Sequence, residues 1–250
     1  MPVVAAEDTR RTRALLSHLD AHPRLLSYHA HSPRRVAEQL LGILGEGRDV
    51  ALVSDAGTPL VSDPGAALVA EVRSAGFGVV PLPGPSAVTA ALSAAGFPAD
   101  RYIFAGFLPR KGSERARLLA RAGREEWTSV FFEAPGRVAE LLSDLVPVCG
   151  AERQAVVARE LSKLHEDLQS GTLAELAARM TANPPRGECT IVVSGAPAVA
   201  EEVQPERVGP AARRLLAAGV SRRETSELLS ELFGLSRNQA YQLVMEVSGQ

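Results

Sequence analysis

The sequence predicts an α/β fold: two α/β domains with a ligand cleft between them, followed by a small helical tail. Three observations predict it. Short apolar, β-rich runs alternate with helical patterns through most of the chain. The runs lack internal polar alternation, the pattern of strands covered on both faces. Loops of Gly, Pro, Ser and Asp flank several of these runs, at the strand edges where open α/β sheets bind ligands.

The expected strands are Val3–Ala6, Asp49–Val53, Val79–Leu82, Tyr102–Phe107, Ser129–Phe132, Ala155–Ala158 and Thr190–Val193. Helical patterns lie near 9–20, 33–45, 64–75, 85–95, 112–123, 136–146 and 172–181. At "FLPRKGSER" (107–115), Pro109 and Gly112 interrupt an apolar run and charge density rises, which marks a domain boundary. "GAPAVAEEVQPE" (195–206) reads as a linker. The expected units are residues 1–109, 110–197 and 198–250.

Within the last unit, Ser221 and Glu224 fit a capping box, Gly234 a helix end, and Ser236 the next cap. Two helices joined by Gly-Leu-Ser make a hairpin like a helix-turn-helix. Arg222, Arg223, Arg237 and Asn238 at the helix starts suit RNA contact. A helical cap on the main body, or a contact with a dimer partner, fits the pattern equally.

Composition removes several function classes. The 250 residues are 46% hydrophobic and 22% charged, with a formal net charge of −2, which excludes a uniformly basic nucleic-acid binder. Cys149 and Cys189 lie far apart and suggest neither a disulfide framework nor a zinc site, and no carboxylate or thiol completes a metal spacing around His29 and His31, so no metal is expected. No leader-like segment opens the chain and no apolar run approaches a membrane span, so a cytoplasmic location is expected.

The densest turn chemistry is "VSDAGTPLVSDPG" (53–65), directly after an apolar strand. Asp63 reads as a helix N-cap with Pro64 as the first helical residue. Asp55 has no such duty and is placed to accept hydrogen bonds from a ligand, while Gly57 lets backbone approach it closely. "PLPGPSAVTAAL" (81–92) repeats the device, with Pro85 starting a helix and Ser86 and Ala87 exposing free N–H groups at its N-terminus. "PPRGECTIVVSG" (184–195) is a third such loop. No GxGxxG or Walker lysine is present, so ordinary dinucleotide and nucleoside-triphosphate motifs are absent.

Taken together, "AAEDTRRTRALL", "SDAGTPLVSDPG", "PLPGPSAVTAALSAAGFP", "FAGFLPRKG", "FFEAPGRV", "ARELSKLHED" and "RGECTIVV" resemble the tetrapyrrole-methylase superfamily. More closely, they resemble its small-subunit ribosomal RNA (cytidine-2'-O)-methyltransferase branch. The resemblance implies a homodimer of subunits with two α/β domains of the tetrapyrrole-methylase type. S-adenosyl-L-methionine would bind in the interdomain cleft and methylate the ribose 2'-oxygen of a decoding-centre cytidine in 16S ribosomal RNA, naked or in the small subunit. The family's cofactor positions match at Asp55, Ala56, Gly57 and Thr58, at Ser86 and Ala87, and at Gly187 and Thr190. One departure stands out. The family carries a first strand and a turn with Pro, Gly and Asn ahead of Glu-Asp-Thr-Arg, whereas Met1-Pro2 here leads almost directly into "VVAAEDTR". A core strand and part of the cofactor wall are therefore expected to be missing, which opens a sheet edge.

A ribose hydroxyl is a poor nucleophile, so a general base would help by roughly 10²–10⁴-fold. The candidates follow strand ends: Glu7, Asp8, Glu133, and Glu160 with Lys163, which become a proton-handling pair if their segment turns helically. Between Arg110 and Arg124 six basic residues face one acid, Glu114, and Arg10, Arg11 and Arg13 form a second cluster. Arg10, Arg110, Lys111 and Arg115 are the expected RNA contacts. Two other readings stay open. A methyltransferase for a corrin or porphyrin precursor shares the fold, although Glu-Asp-Thr-Arg, Arg-Glu-Leu-Ser-Lys and the helical tail stand against it. A cofactor-deficient RNA-binding fragment would follow from the missing strand.

Overall fold

The computed structural model describes residues 3–197 and 205–248. It divides into two compact units, Met1–Ala196 and Pro197–Gln250. Among the described residues no helix is long and apolar enough to cross a membrane.

The first unit holds two sheets. The smaller takes β1 (Val3–Ala6), β2 (Arg24–Ser27) and β3 (Val50–Val53) in the order β2-β1-β3, all parallel. The crossovers are α1 (Thr9–His18) and α2 (Arg34–Gly45). Val3, Ala5, Leu40, Ile43, Leu68 and Val72 form the core between this sheet, α2 and α3 (Ala66–Ser74). α1 starts where it does because the Asp8 carboxylate accepts from the Arg10 N–H at 2.8 Å, capping the helix.

The larger sheet takes β4 (Tyr102–Phe107), β5 (Thr128–Glu133), β6 (Gln154–Arg159), β7 (Asp167–Thr172) and β8 (Cys189–Val193), in the order β4-β5-β8-β6-β7. β4 and β5 are parallel; β8 runs antiparallel to both neighbours, and β7 antiparallel to β6. Its residues alternate between two cores, as a pleated sheet buried on both faces requires. Phe131, Val157, Ile191 and Val193 pack with α5 (Ser113–Arg124), α6 (Val138–Cys149) and α7 (Leu173–Ala182). Val130, Val156, Ala158 and Val192 pack with α4 (Ala87–Ala95).

Several expectations change. β4 joins the larger sheet through its register with β5, and α4 covers that same sheet, so packing separates the two sheets ahead of α4 rather than at 109. Val79–Leu82 is not a strand, because no neighbour pairs with it; Val80 is 80% exposed and Leu82 76%. Among the described residues β3 pairs with β1 alone. Helix α3 starts at Ala66 behind Gly65, so Asp63 is not its cap and Pro64 is not helical. Gly65 stands at φ 134°, and a Cβ there would lie 2.8 Å from a Leu52 methyl and 2.9 Å from a Leu60 methyl. Pro85 likewise precedes α4, whose N-cap is Ser86. β2 and β7 were not expected.

The second unit contains α8 (Pro205–Ala217), α9 (Arg222–Phe233) and α10 (Arg237–Ser248) around Val208, Ala212, Leu229, Leu235, Ala240 and Val244. Ser221 accepts from the Glu224 N–H, Gly234 ends α9 in the left-handed region, and Ser236 accepts from the Gln239 N–H.

Candidate active site

Parallel pairing of β1 with β3 brings their C-terminal ends together, and the loops that follow are cross-linked there. The Glu7 carboxylate accepts from the Asp55 N–H at 3.2 Å. The Asp55 carboxylate accepts from the Asp8 N–H at 3.1 Å and lies 3.5 Å from the Arg11 guanidinium.

Beside this junction lies a cavity of about 370 Å³, within the size range of small-molecule sites. The loop after β3 supplies Ala56, Gly57, Thr58, Ser62 and Asp63; the start of α4 supplies Ser86 and Ala87. The larger sheet closes it with Phe107, with Phe132 and Glu133 at the end of β5, and with Gly187, Glu188, Cys189 and Thr190. The Thr58 hydroxyl donates to the Pro85 carbonyl at 3.1 Å and ties the first two loops together. Ser86 makes no side-chain cap, so the first-turn N–H groups of α4 receive no bond from it. Of the eight expected cofactor positions, seven line this cavity: Ala56, Gly57, Thr58, Ser86, Ala87, Gly187 and Thr190. Asp55 instead lines a neighbouring cavity of about 610 Å³, together with Arg11, Thr12 and Ser54.

The wall carries three carboxylates, on Asp63, Glu133 and Glu188, and no Lys, Arg or His lines it. Such a wall repels anionic nucleotides and suits a ligand with positive charge, such as the sulfonium and ammonium of S-adenosylmethionine. Glu133 is wholly enclosed. Its Oε1 accepts from the Ala134 N–H at 3.0 Å and lies 3.4 Å from Arg137, while Oε2 has no partner. Phe132 and Phe107, with ring centroids 5.6 Å apart, add an aromatic edge.

The remaining base candidates lie outside this cavity. Asp8 caps α1 and is held well below the usual carboxylate range, first by the Arg10 side chain. Lys163 sits between Glu160 at 2.9 Å and Glu188 at 3.0 Å. The Glu188 N–H and then the Lys163 ammonium hold the Glu160 carboxyl below its ordinary value, and Glu160 in turn raises Lys163. The pair therefore works as a clamp on the loop that brings Gly187 and Glu188 to the cavity, with Lys163 kept protonated. Glu160 itself stands at φ 50° and Ser162 at φ 63°.

Of the expected RNA contacts, Arg110 and Lys111 are exposed. Arg10 is exposed but paired with Asp8 at 2.7 Å. Arg115 is buried, bonded to Asp144 at 2.7 Å and to the Pro109 carbonyl at 3.0 Å, so its guanidinium is not offered to a phosphate. Among the described residues no cluster of His, Cys, Asp and Glu could hold a metal ion.

Sequence reasoning gave Asp63 a helix-capping duty and passed over Glu188 and Cys189. The signal for Asp63 was the repeat of Ser-Asp at 54–55 and 62–63. Burial pushes the Asp63 carboxyl above its ordinary value, and Glu7, Asp55 and Glu188 add to it. Burial also pushes the Cys189 thiol up to about 11. The native thiol is therefore expected to react about a hundredfold more slowly with alkylating reagents near neutral pH than an ordinary cysteine. Comparing alkylation rates of native and denatured protein checks this.

Residues 1–177 match the family model "Tetrapyrrole (Corrin/Porphyrin) Methylases". Ribosomal RNA small subunit methyltransferase I of Pseudomonas aeruginosa is 43% identical over 252 residues, covering 99% of this chain and 88% of that protein. The Synechocystis protein of the same name is 42% identical over 246 residues, covering 98% and 88%. Among solved structures, the cobalamin biosynthetic enzyme cobalt precorrin-4 methyltransferase is similar with a TM-score of 0.58 at 18% identity, covering 77% of this chain and 83% of that one. Thermus thermophilus uroporphyrin-III C-methyl transferase, complexed with S-adenosyl homocysteine, is similar with a TM-score of 0.54 at 18% identity, covering 77% and 85%. These two show the shared fold. On these matches the chain belongs to the tetrapyrrole (corrin/porphyrin) methylase family, in the branch of the ribosomal RNA small subunit methyltransferases I.

Proposed function

We propose that this chain is an S-adenosylmethionine-dependent methyltransferase acting on the ribose 2'-oxygen of cytidine 1402 in 16S ribosomal RNA. In this reading it works as a homodimer in the cytoplasm, where small subunits are assembled. The observation that carries it is the convergence of seven expected cofactor positions on one cavity whose charged residues are all carboxylates. The relatives named for ribosomal RNA methylation support the choice of substrate.

Bound there, the cofactor would supply a methyl carbon on a sulfonium, from which an oxygen nucleophile can displace a neutral thioether. Gly57, Thr58, Ser86, Ala87, Gly187 and Thr190 hold it through backbone and small polar groups. Positioning is their main contribution, since well-oriented reactants save on the order of 7–11 kcal/mol of barrier. Arg110 and Lys111 hold the RNA phosphates from the loop ahead of α5.

The test follows labelled methyl groups from S-adenosylmethionine into 16S ribosomal RNA of small subunits, with a uroporphyrinogen as the competing substrate. Label in the RNA at cytidine 1402 is expected. Label in the tetrapyrrole alone would replace this reading with the other family activity. Lys111→Ala is expected to reduce the salt slope of RNA binding by about 1 and leave cofactor affinity unchanged, as a lost phosphate contact does.

A further inference from the structure

We propose that Asp63 is the general base of the methyl transfer, the group that takes the proton from the ribose 2'-hydroxyl; this rests on the RNA reading above. Asp63 lines the cavity and is half-buried, so its carboxylate remains within reach of a ligand. The loop that presents it is held in an unusual shape, with Leu60 at φ 73° and Ser62 at φ 63°. Left-handed backbone at non-glycine residues costs energy and gathers at functional sites. Here it ends at Gly65, which takes the helix-cap position and leaves the Asp63 carboxylate without that duty.

The other acidic candidates are bound or enclosed. Glu133 lines the same cavity with Oε2 unpartnered, but its side chain is wholly enclosed and its Oε1 lies 3.4 Å from Arg137. Glu188 is bound to Lys163, Glu7 accepts from the Asp55 N–H, and Asp8 caps α1. The charges that raise Asp63 are Glu7 at the end of β1, Asp55 after β3 and Glu188 before β8, and Glu133 lines the same cavity; Lys163 pairs with Glu188 and Arg11 with Asp55. The Ser54 hydroxyl offsets them in part. A carboxyl raised this way is a stronger base than an ordinary aspartate, closer to the value that proton transfer near neutral pH favours.

In the step, an Asp63 carboxylate oxygen takes the 2'-hydroxyl proton as the 2'-oxygen bonds to the methyl carbon. The carbon–sulfur bond breaks with its electron pair left on sulfur. The positive charge of the sulfonium ends as the proton on Asp63, which passes to water, and the products are a methyl ether and a neutral thioether.

The experiment compares the full chain with Asp63→Asn and Asp63→Glu. Titration calorimetry in buffers of different ionisation enthalpy gives cofactor affinity and the protons exchanged on binding; methylation of small subunits is followed against pH. A cation bound beside Asp63 favours its carboxylate, so wild type is expected to release protons on binding, between the ordinary carboxylate value and the raised one, and Asp63→Asn is not. The variant is expected to bind cofactor up to about tenfold more weakly, the reciprocal of that coupling, and to lose about 10²–10⁴-fold in kcat with little change in the KM for RNA. Asp63→Glu restores part of the rate. Because the folded carboxyl lies above its unfolded value, its contribution to stability is present at low pH and lost as pH rises through the raised value. Asp63→Asn removes that loss and is expected to fold at least as well at neutral pH. An Asp63→Asn enzyme with kcat within about fivefold of wild type, or one that loses cofactor binding in parallel, overturns the assignment. Wild type that binds cofactor yet labels no RNA overturns the RNA reading, and the base with it.

Discussion

Gly187→Ala is expected to weaken S-adenosylmethionine binding by at least about tenfold and to cost about 1–3 kcal/mol of stability. Gly187 stands at φ 83°, in the left-handed region, and a Cβ there would run into the Glu160 carboxylate. That carboxylate cannot simply step aside. It accepts from the Glu188 N–H at 2.8 Å and from Lys163 at 2.9 Å, and Lys163 also holds Glu188. Displacing it loosens the clamp that carries Gly187, Glu188 and Thr190 to the cavity. Calorimetric titration with cofactor and urea unfolding measure the two effects. Gly42→Ala, in α2 with nothing within 4 Å of the added methyl, is the matching control. It is expected to stabilise the chain by about 0.5–1 kcal/mol and leave affinity alone. Unchanged affinity in Gly187→Ala would remove this loop from the cofactor wall.

Glu133→Ala is expected to cost about 1–3 kcal/mol, the scale of leaving a buried polar partner unsatisfied, since the Arg137 side chain stays 22% exposed. Its carboxylate is fully enclosed at the end of β5 and faces the Arg137 guanidinium, one of whose nitrogens already lacks a partner. Without Glu133, Arg137 keeps only Glu140 at 4.0 Å. The double variant Glu133→Leu, Arg137→Met is expected to recover most of the loss, since an apolar pair leaves no charge stranded. Urea unfolding of the single and double variants separates the pair's coupling from simple loss of packing.

Elements that bury apolar residues on a regular period were legible in the sequence. β5, β6 and β8 sit within a residue of the expected runs, because their side chains fill cores on both faces. β2 and β7 were not legible: both are edge strands, and β7 carries Asp167, Gln169, Ser170 and Thr172 where an apolar run would announce a strand. Val79–Leu82 shows the reverse failure. Its residues suit a strand, but a strand needs a neighbour, and pairing is not written into the segment itself. The antiparallel direction of β8 is likewise a property of the sheet rather than of "CTIVV".

The candidate site was legible as loops and not as charges. Small residues at strand ends pointed to Ala56, Gly57, Ser86 and Gly187, which do meet at the cavity. The same reading spent Asp63 on a helix cap, because Asp-Pro ahead of an apolar period is the usual sign of one. It also placed Arg115 among the RNA contacts, when long-range pairing with Asp144 holds it inside.

The central place of β8 has a consequence for how the chain is made. Strand β8 is the last of the larger sheet to leave the ribosome, yet it belongs between β5 and β6. Until it arrives, neither neighbour has its partner on that side, and Phe131 and Val157 lack the Ile191 side that completes their core. Gly187, Glu188 and Thr190 reach the cavity only with that insertion. A nascent chain thus cannot gain stability from its cofactor until the whole α/β unit has been synthesised, and ligand binding reports that assembly of the sheet is finished.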